Sequence, residues 1–200
     1  MSGYLNISIV RNNVTIGNNV IIHPNVVINE GVRIADGVEI YPGAIIGKQP
    51  QGSVSSTENL IFLWMLKLAQ NTSIGPNSII YYDVIIGADC LIGDAVAISE
   101  KCIIGPRCII GRNVSLLYNV IVGECTKIMT NSHITGNSIV GRDVVIGVGV
   151  NSVNDNNFGS TGYDRKEING PVIEDNVKIG AGATLLPNIT IGKNAVVGAG

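Results

Sequence analysis

Apolar and polar positions recur along this chain with a period of six, and the period runs without a slip from Ile74 to Asn151, thirteen units in succession. The first unit is IGPNSI, the tenth IMTNSH and the last IGVGVN. Position one is always Ile, Leu or Val, and position five is always small or β-branched, as at Ser78, Val84, Cys90, Val96 and Ser132. A helix face repeats about every 3.6 residues, so this pattern is not helical, and its β-branched residues favour strands. Gly, Asn, Asp and Pro at positions two to four supply the bends between them. So short a unit cannot bury its own apolar face; successive units must stack and share one core, which predicts a parallel β-helix. With three hexads to a coil, residues eighteen apart stand in vertical register, and each coil adds roughly 4.8 Å of height. Position-one aliphatics then line the interior, and the small fifth positions fill its corners.

The same repeat begins at Val10 in another frame, as VRNNVT, IGNNVI and IHPNVV, and resumes at Ile173 as IEDNVK, IGAGAT, LLPNIT and IGKNAV before a final VGAG. The expectation is a single all-β domain over residues 1–200 with about eight coils. Met1 to Ser8 are expected to cap the first coil, since a bare end exposes a strand edge. The last coil breaks off in mid-unit, and a cap or a partner is expected to cover it. Two excursions interrupt the pattern, at 48–72 and 152–172. The first ends in NLIFLWMLKLAQN, with Phe62 and Trp64, and is expected to pack on the prism or on a neighbouring copy as a strand or helical turn; a lid is the alternative. The second carries Phe158, Tyr163, Asp164, Arg165, Lys166 and Glu167 in a loop long enough to be functional or disordered.

Composition sharpens this picture. Aromatic residues make up only 4% of the chain against 46% hydrophobic overall, as expected of a prism too narrow for rings. A net charge of −2 with no basic run argues against nucleic acid and against an anionic membrane surface. The apolar run near Trp64 is far shorter than the roughly 20 residues a membrane-spanning helix needs. Cys90, Cys102 and Cys108 occupy inward fifth positions and Cys125 sits beside one, so all four read as buried small side chains rather than disulfide or metal ligands. MSGYLNISIV lacks the charged and then apolar character of a signal peptide, so a cytoplasmic location is expected.

The hexads, together with VIEDNVKIGAGATLLPNITIGKNAVVGAG, resemble the hexapeptide-repeat acyltransferases of the left-handed β-helix superfamily. Left-handedness is implied by that resemblance alone. The strings TKIMTNSHITGNSIVGRDVVIG and NDNNFG are most similar to the branch that N-acetylates nucleotide-linked amino sugars in surface polysaccharide synthesis. The resemblance implies a homotrimer, with acetyl-CoA lying in grooves between adjacent prisms.

Candidate chemistry centres on His133, whose neighbours Ser132 and Ile134 point inward, so its ring faces out. By the eighteen-residue register Ser115 lies beneath it and Asn151 above, with Asn113, Asn131 and Gly149 as an adjacent column; Asp155 begins the second excursion nearly over it. A sugar amine must be neutral to attack a thioester, and an imidazole can take its proton while a carboxylate holds the arriving ammonium. His133 is therefore assigned as base or amine-orienting group and Asp155 as its partner, with Asn131, Asn113, Asn151 and Asn154 as hydrogen-bonding walls. His23 reads as an ordinary surface residue. Sugar O-acetyltransferases of the galactoside and maltose type place a histidine where this chain has Asn154 to Asn157. The lipid A acyltransferases have a second histidine where it has Gly136. Both departures weaken O-acylation. The γ-class carbonic anhydrases need three zinc-binding histidines and this chain has two, so no metal is expected. For the pantetheine arm of acetyl-CoA the resemblance points to small residues at Gly147, Gly180, Ala181, Gly198 and Ala199. The resulting expectation is an acetyl-CoA-dependent N-acetyltransferase. The alternatives are an O-acetyltransferase acting on a sugar or small hydroxyl compound, or a non-catalytic β-helix scaffold.

Overall fold

The computed structural model describes residues 7–50, 65–156 and 168–200. Within them, twenty-seven short strands form three parallel sheets of nine strands each. Consecutive strands visit the three sheets in turn, so every third strand returns to the same sheet one coil higher. This is the β-helix the period of six predicts. Register between coils is eighteen residues throughout the uninterrupted run: Ile79 pairs with Ala97, Ile85 with Ile103 and Leu91 with Ile109.

Nine coils are present rather than eight. One of the added rungs is Leu66–Leu68, which belongs to the expected excursion yet pairs with Val32–Ile34 below and Ile85–Ile86 above. Leu66 and Leu68 both face inward and are buried, so an LKL alternation carries this rung although no glycine turn announces it. Ser73–Ile74 likewise stacks on Glu39–Ile40. The first excursion thus spans 49–65. Phe62, Trp64 and most of the capping segment Met1 to Ser8 lie outside the described residues, as do Phe158 and 163–167 of the second excursion.

The interior is a ladder of position-one aliphatics: Ile74, Ile80, Ile86, Ile92, Ile98, Ile104 and Ile110 are all buried. Position five fills the corners, and where it is polar its hydroxyl or thiol has a fixed acceptor, one coil up except at Ser138, which donates to the Thr135 carbonyl of its own coil at 2.7 Å. Ser78 donates to the Gly93 carbonyl at 2.8 Å, Thr126 to Gly141 at 2.7 Å and Ser132 to Gly147 at 2.9 Å, and the Cys90 and Cys108 thiols donate likewise to Gly105 and Gly123. Small polar residues are tolerated inside because each is satisfied there. The four cysteines are free thiols, three of them buried.

Position four makes the bend. From Asn77 to Gly149 every fourth position has left-handed backbone, with φ between 53° and 65°. Asparagine tolerates that conformation best among side-chain-bearing residues. Stacked asparagines bond to one another along the axis, as Asn119 does to Asn137 at 2.9 Å.

Candidate active site

His133 enters through the strand His133–Ile134 of the first sheet, which also contains Ser115–Leu116 and Asn151–Ser152. Its backbone is fixed from both sides: the His133 amide donates to the Val150 carbonyl at 2.9 Å, and Leu117 N donates to Ile134 O at 2.9 Å. Ser115 pairs directly below and Asn151 directly above. Ile134 is buried, so alternation turns the imidazole outward, half-buried.

The ring lines a cleft of about 410 Å³ together with Leu117, Thr135, Asn151, Ser152, Val153, Asn154 and Asp155. Four of the candidate residues therefore meet: His133, Asn151, Asn154 and Asp155. No lysine or arginine lines the cleft among the described residues, so its one full charge is the Asp155 carboxylate. Burial holds the His133 imidazole below its ordinary pKa, because the charged form loses hydration there. At neutral pH the ring is neutral and able to accept a proton.

Three interactions that sequence did not reveal hold this region. Ser152 Oγ accepts from Thr135 N at 2.8 Å and donates to the His133 carbonyl at 3.3 Å, clamping the rung that carries the imidazole. Asn137 Nδ2 donates to Ile168 O at 2.6 Å, tying the returning end of the second excursion beside the cleft. Asn154 Nδ2 donates to Tyr118 Oη at 3.3 Å, tying its departing end. The eighteen-residue spacing of Tyr118, Gly136 and Asn154 was the available signal for the last.

Asn131 and Asn113 are elsewhere. Both sit at the corner before the first sheet with φ of 60° and 54°, and Asn113 Nδ2 donates to Asn131 Oδ1 at 3.2 Å. They form the bend that leads to His133 and are not among the residues lining the cleft. Asn151 turns its amide back to the Gly149 carbonyl at 3.1 Å.

Gly147, Gly180 and Gly198 stack on the same corner, climbing beside the first sheet from the coil of Asn151 upward, with Ala181 and Ala199 alongside. A β-carbon on Gly147 would lie 2.7 Å from Ala181 N, and one on Gly180 2.5 Å from Ala199 N, so close rung packing by itself requires glycine there. The stripe is free of large side chains and fits a slender arm by shape. The amides of Gly147 and Gly180 donate to Ile179 O and Val197 O, so they are not available to a ligand.

Other polar clusters are internally paired. His23 Nε2 lies 2.8 Å from Glu39 Oε1 with its ring stacked on Tyr41, centroids 4.7 Å apart. A larger cavity near the base, about 790 Å³, has Arg11 bonded to Asn29, Asn13 to Glu30, and Tyr82 to the Glu30 carbonyl. Among the described residues, no three His, Cys, Asp or Glu side chains converge as a metal site, and no helix is long and apolar enough to cross a membrane.

Residues 8–48 and 170–200 match the family model of bacterial transferase hexapeptide repeats, and residues 65–156 match the GMPPB C-terminal domain. The chain is a hexapeptide-repeat β-helix, similar over these stretches to the bacterial transferases that carry the repeat. Among curated relatives of this hexapeptide-repeat chain, the bifunctional protein GlmU of Carboxydothermus hydrogenoformans is 35% identical over 132 residues, covering 64% of the chain and 27% of GlmU. The chain spans about a quarter of the length of the curated relatives it matches. Among solved structures, LpxA from Acinetobacter baumannii covers 92% of the chain and 69% of its own length with a TM-score of 0.68 at 14% identity. LpxA from Bacteroides fragilis 9343, a UDP-N-acetylglucosamine acyltransferase, covers 74% of the chain and 66% of its own length with a TM-score of 0.64 at 24% identity. At those identities the two structures establish the shared fold.

Proposed function

We propose that this hexapeptide-repeat protein is an acyltransferase acting on a nucleotide-linked sugar, and more specifically that it N-acetylates an amino sugar from acetyl-CoA in cytoplasmic steps of surface polysaccharide synthesis. The observation that carries the reading is the neutral, half-buried His133 imidazole in a cleft whose only full charge among the described residues is the Asp155 carboxylate. A carboxylate sharing the cleft with the imidazole is a group that an arriving ammonium can meet. The match to bacterial transferase repeats and the likeness to GlmU support the transferase class.

Asp155 holds the arriving ammonium, which gives up one proton to solvent to become the neutral nucleophile, and His133 takes the second proton from nitrogen as the bond to the acyl carbon forms. Acetyl-CoA, when bound, supplies the acyl group as a thioester. A new bond forms between nitrogen and the acyl carbon, the carbon–sulfur bond breaks, and His133 returns its proton to the departing sulfur. The side-chain-free stripe of Gly147, Gly180 and Gly198 beside the first sheet is the shape a pantetheine arm requires.

Assembly as a homotrimer is part of the same proposal. Ile85, Ile103, Ile121 and Ile139 stand in one vertical row on the second sheet, each 42–46% exposed in the single chain. Such a contiguous apolar strip marks an association surface.

The test is thiol release from acetyl-CoA against a panel of nucleotide-linked amino sugars and their hydroxy counterparts. Turnover on an amino sugar is expected; turnover on hydroxy sugars alone would overturn N-acetylation.

A further inference from the structure

Residues 153–155 form one wall of the cleft, and they are held partly from the two coils below. Tyr118, Gly136 and Asn154 stand one above another at eighteen-residue spacing on the corner that follows the first sheet. Tyr118 sends its ring up across Gly136 toward Asn154. A β-carbon on Gly136 would lie 2.5 Å, 2.6 Å and 2.8 Å from three atoms of that ring. Gly136 is not in the left-handed region, so the tyrosine ring, not a turn requirement, accounts for the missing side chain. At the top of the column the Tyr118 hydroxyl accepts from Asn154 Nδ2 at 3.3 Å, and the same amide nitrogen reaches the Gly136 carbonyl at 3.5 Å.

Asn154 is the residue before Asp155, and the chain leaves the strand ladder between them and Ser152. Fixing the Asn154 side chain therefore limits where the Asp155 carboxylate can lie relative to His133. We propose that Tyr118 is a positioning residue for the acceptor: through Asn154 it sets the Asp155 carboxylate opposite the imidazole and so governs how the acceptor amine is held. The assignment rests on reading the cleft as an acyl-transfer site. Tyr118 does not itself line the cleft, and it acts on the cleft wall through the contact of its hydroxyl with Asn154.

Two variants separate ring from hydroxyl. Tyr118→Phe keeps the ring over Gly136 and removes the acceptor oxygen, while Gly136→Ser displaces the ring and loosens the whole column. Hydrogen exchange across residues 153–156 is expected to quicken about 10-fold in Tyr118→Phe, the effect of losing one modest hydrogen bond. In the same variant the KM for the amino-sugar acceptor should rise about 10-fold while the KM for acetyl-CoA stays at the wild-type value. A purely structural tyrosine would shift both KM values or neither. Wild-type exchange over 153–156 in Tyr118→Phe overturns the proposal, as does an equal change in both KM values. If the wild-type protein turns over no acceptor at all, the acyl-transfer reading fails, and hydrogen exchange alone then decides whether the tether exists.

Discussion

The corner that follows the third sheet and the corner that follows the first are built from the same hexad, yet they present opposite surfaces. After the third sheet, position two is His23 and Tyr41 in the first two coils and then Gly75, Gly93, Gly111, Gly147, Gly180 and Gly198, broken by Met129. A β-carbon at the first five of these glycines would meet backbone atoms of the next coil at 2.5–2.8 Å. Over the uninterrupted run, the corresponding residues after the first sheet are Tyr81, Ser99, Leu117, Thr135 and Val153. Close rung packing gives the glycine corner a bare stripe, whereas side chains at the other corner build walls. The cleft containing His133 lies where Leu117, Thr135 and Val153 supply such walls. A repeat that looks uniform by hydrophobicity thus differs in one position on one side: there side chains enclose the cleft of His133, whereas at the glycine corner Gly75, Gly93 and Gly111 floor another of about 380 Å³ beside Tyr41, Leu91 and Ile109.

The contrast breaks most readily at the glycines. Gly93→Val places a branched side chain against Arg112 N and should cost about 2–3 kcal/mol in urea unfolding, the upper range for overpacking. Leu117→Ala, at the walled corner, has no backbone to collide with and removes a half-buried side chain, so it should cost about 1 kcal/mol or less. Equal costs at the two sites would remove the distinction between the corners.

A smaller effect sharpens it. Ala95 holds left-handed backbone at a φ of 53° in the column of Asn77, Asn113 and Asn131, and interrupts their ladder. Ala95→Asn should raise stability by about 0.5–1 kcal/mol, since asparagine accepts that conformation with less strain and can bond to its stacked neighbours. Unchanged or lower stability in thermal unfolding would count against the ladder.

The smallest expected effect is a pH slope. The His133 imidazole is held below its ordinary pKa in the fold, while in the unfolded chain it titrates near the usual value of about 6.5. Between those two values the unfolded chain binds more protons, so stability rises with pH through the window and falls as acid is added. Wild type should lose slightly more stability than His133→Asn on going from about pH 7 to about pH 5. Identical slopes would mean that the ring is not desolvated. Asp175, whose carboxyl is held below the ordinary range chiefly by the Arg142 amide and guanidinium, responds at lower pH and cancels in the difference.

Much of this molecule is legible in its spacing. The eighteen-residue register alone placed Ser115, His133 and Asn151 in one column, and alternation turned the imidazole outward, because a β-helix converts separation in sequence directly into height. Residues whose type serves two purposes were harder to read. Asn113 and Asn131 suit a polar wall and a left-handed bend equally well, and only the backbone φ assigns them to the bend. Glycine at 147 and 180 is likewise demanded by rung packing before any ligand is considered. Leu66–Leu68 escapes the period because the excursion runs straight into it, although Leu68 opens an ordinary hexad, LAQNTS, whose Asn71 makes the usual left-handed bend. The contacts that tie the second excursion to the prism, from Asn137 to Ile168 and from Asn154 to Tyr118, join residues whose pairing the hydrophobic period does not specify.

The most direct measurement is the rate of thiol release from acetyl-CoA by wild type and His133→Ala on the amino sugar that wild type prefers, with thermal unfolding of both recorded alongside. Loss of about 10²–10⁴-fold in kcat/KM at an unchanged unfolding temperature is the result expected if the imidazole moves the proton. A His133→Ala protein that is folded and runs at the wild-type rate would contradict it.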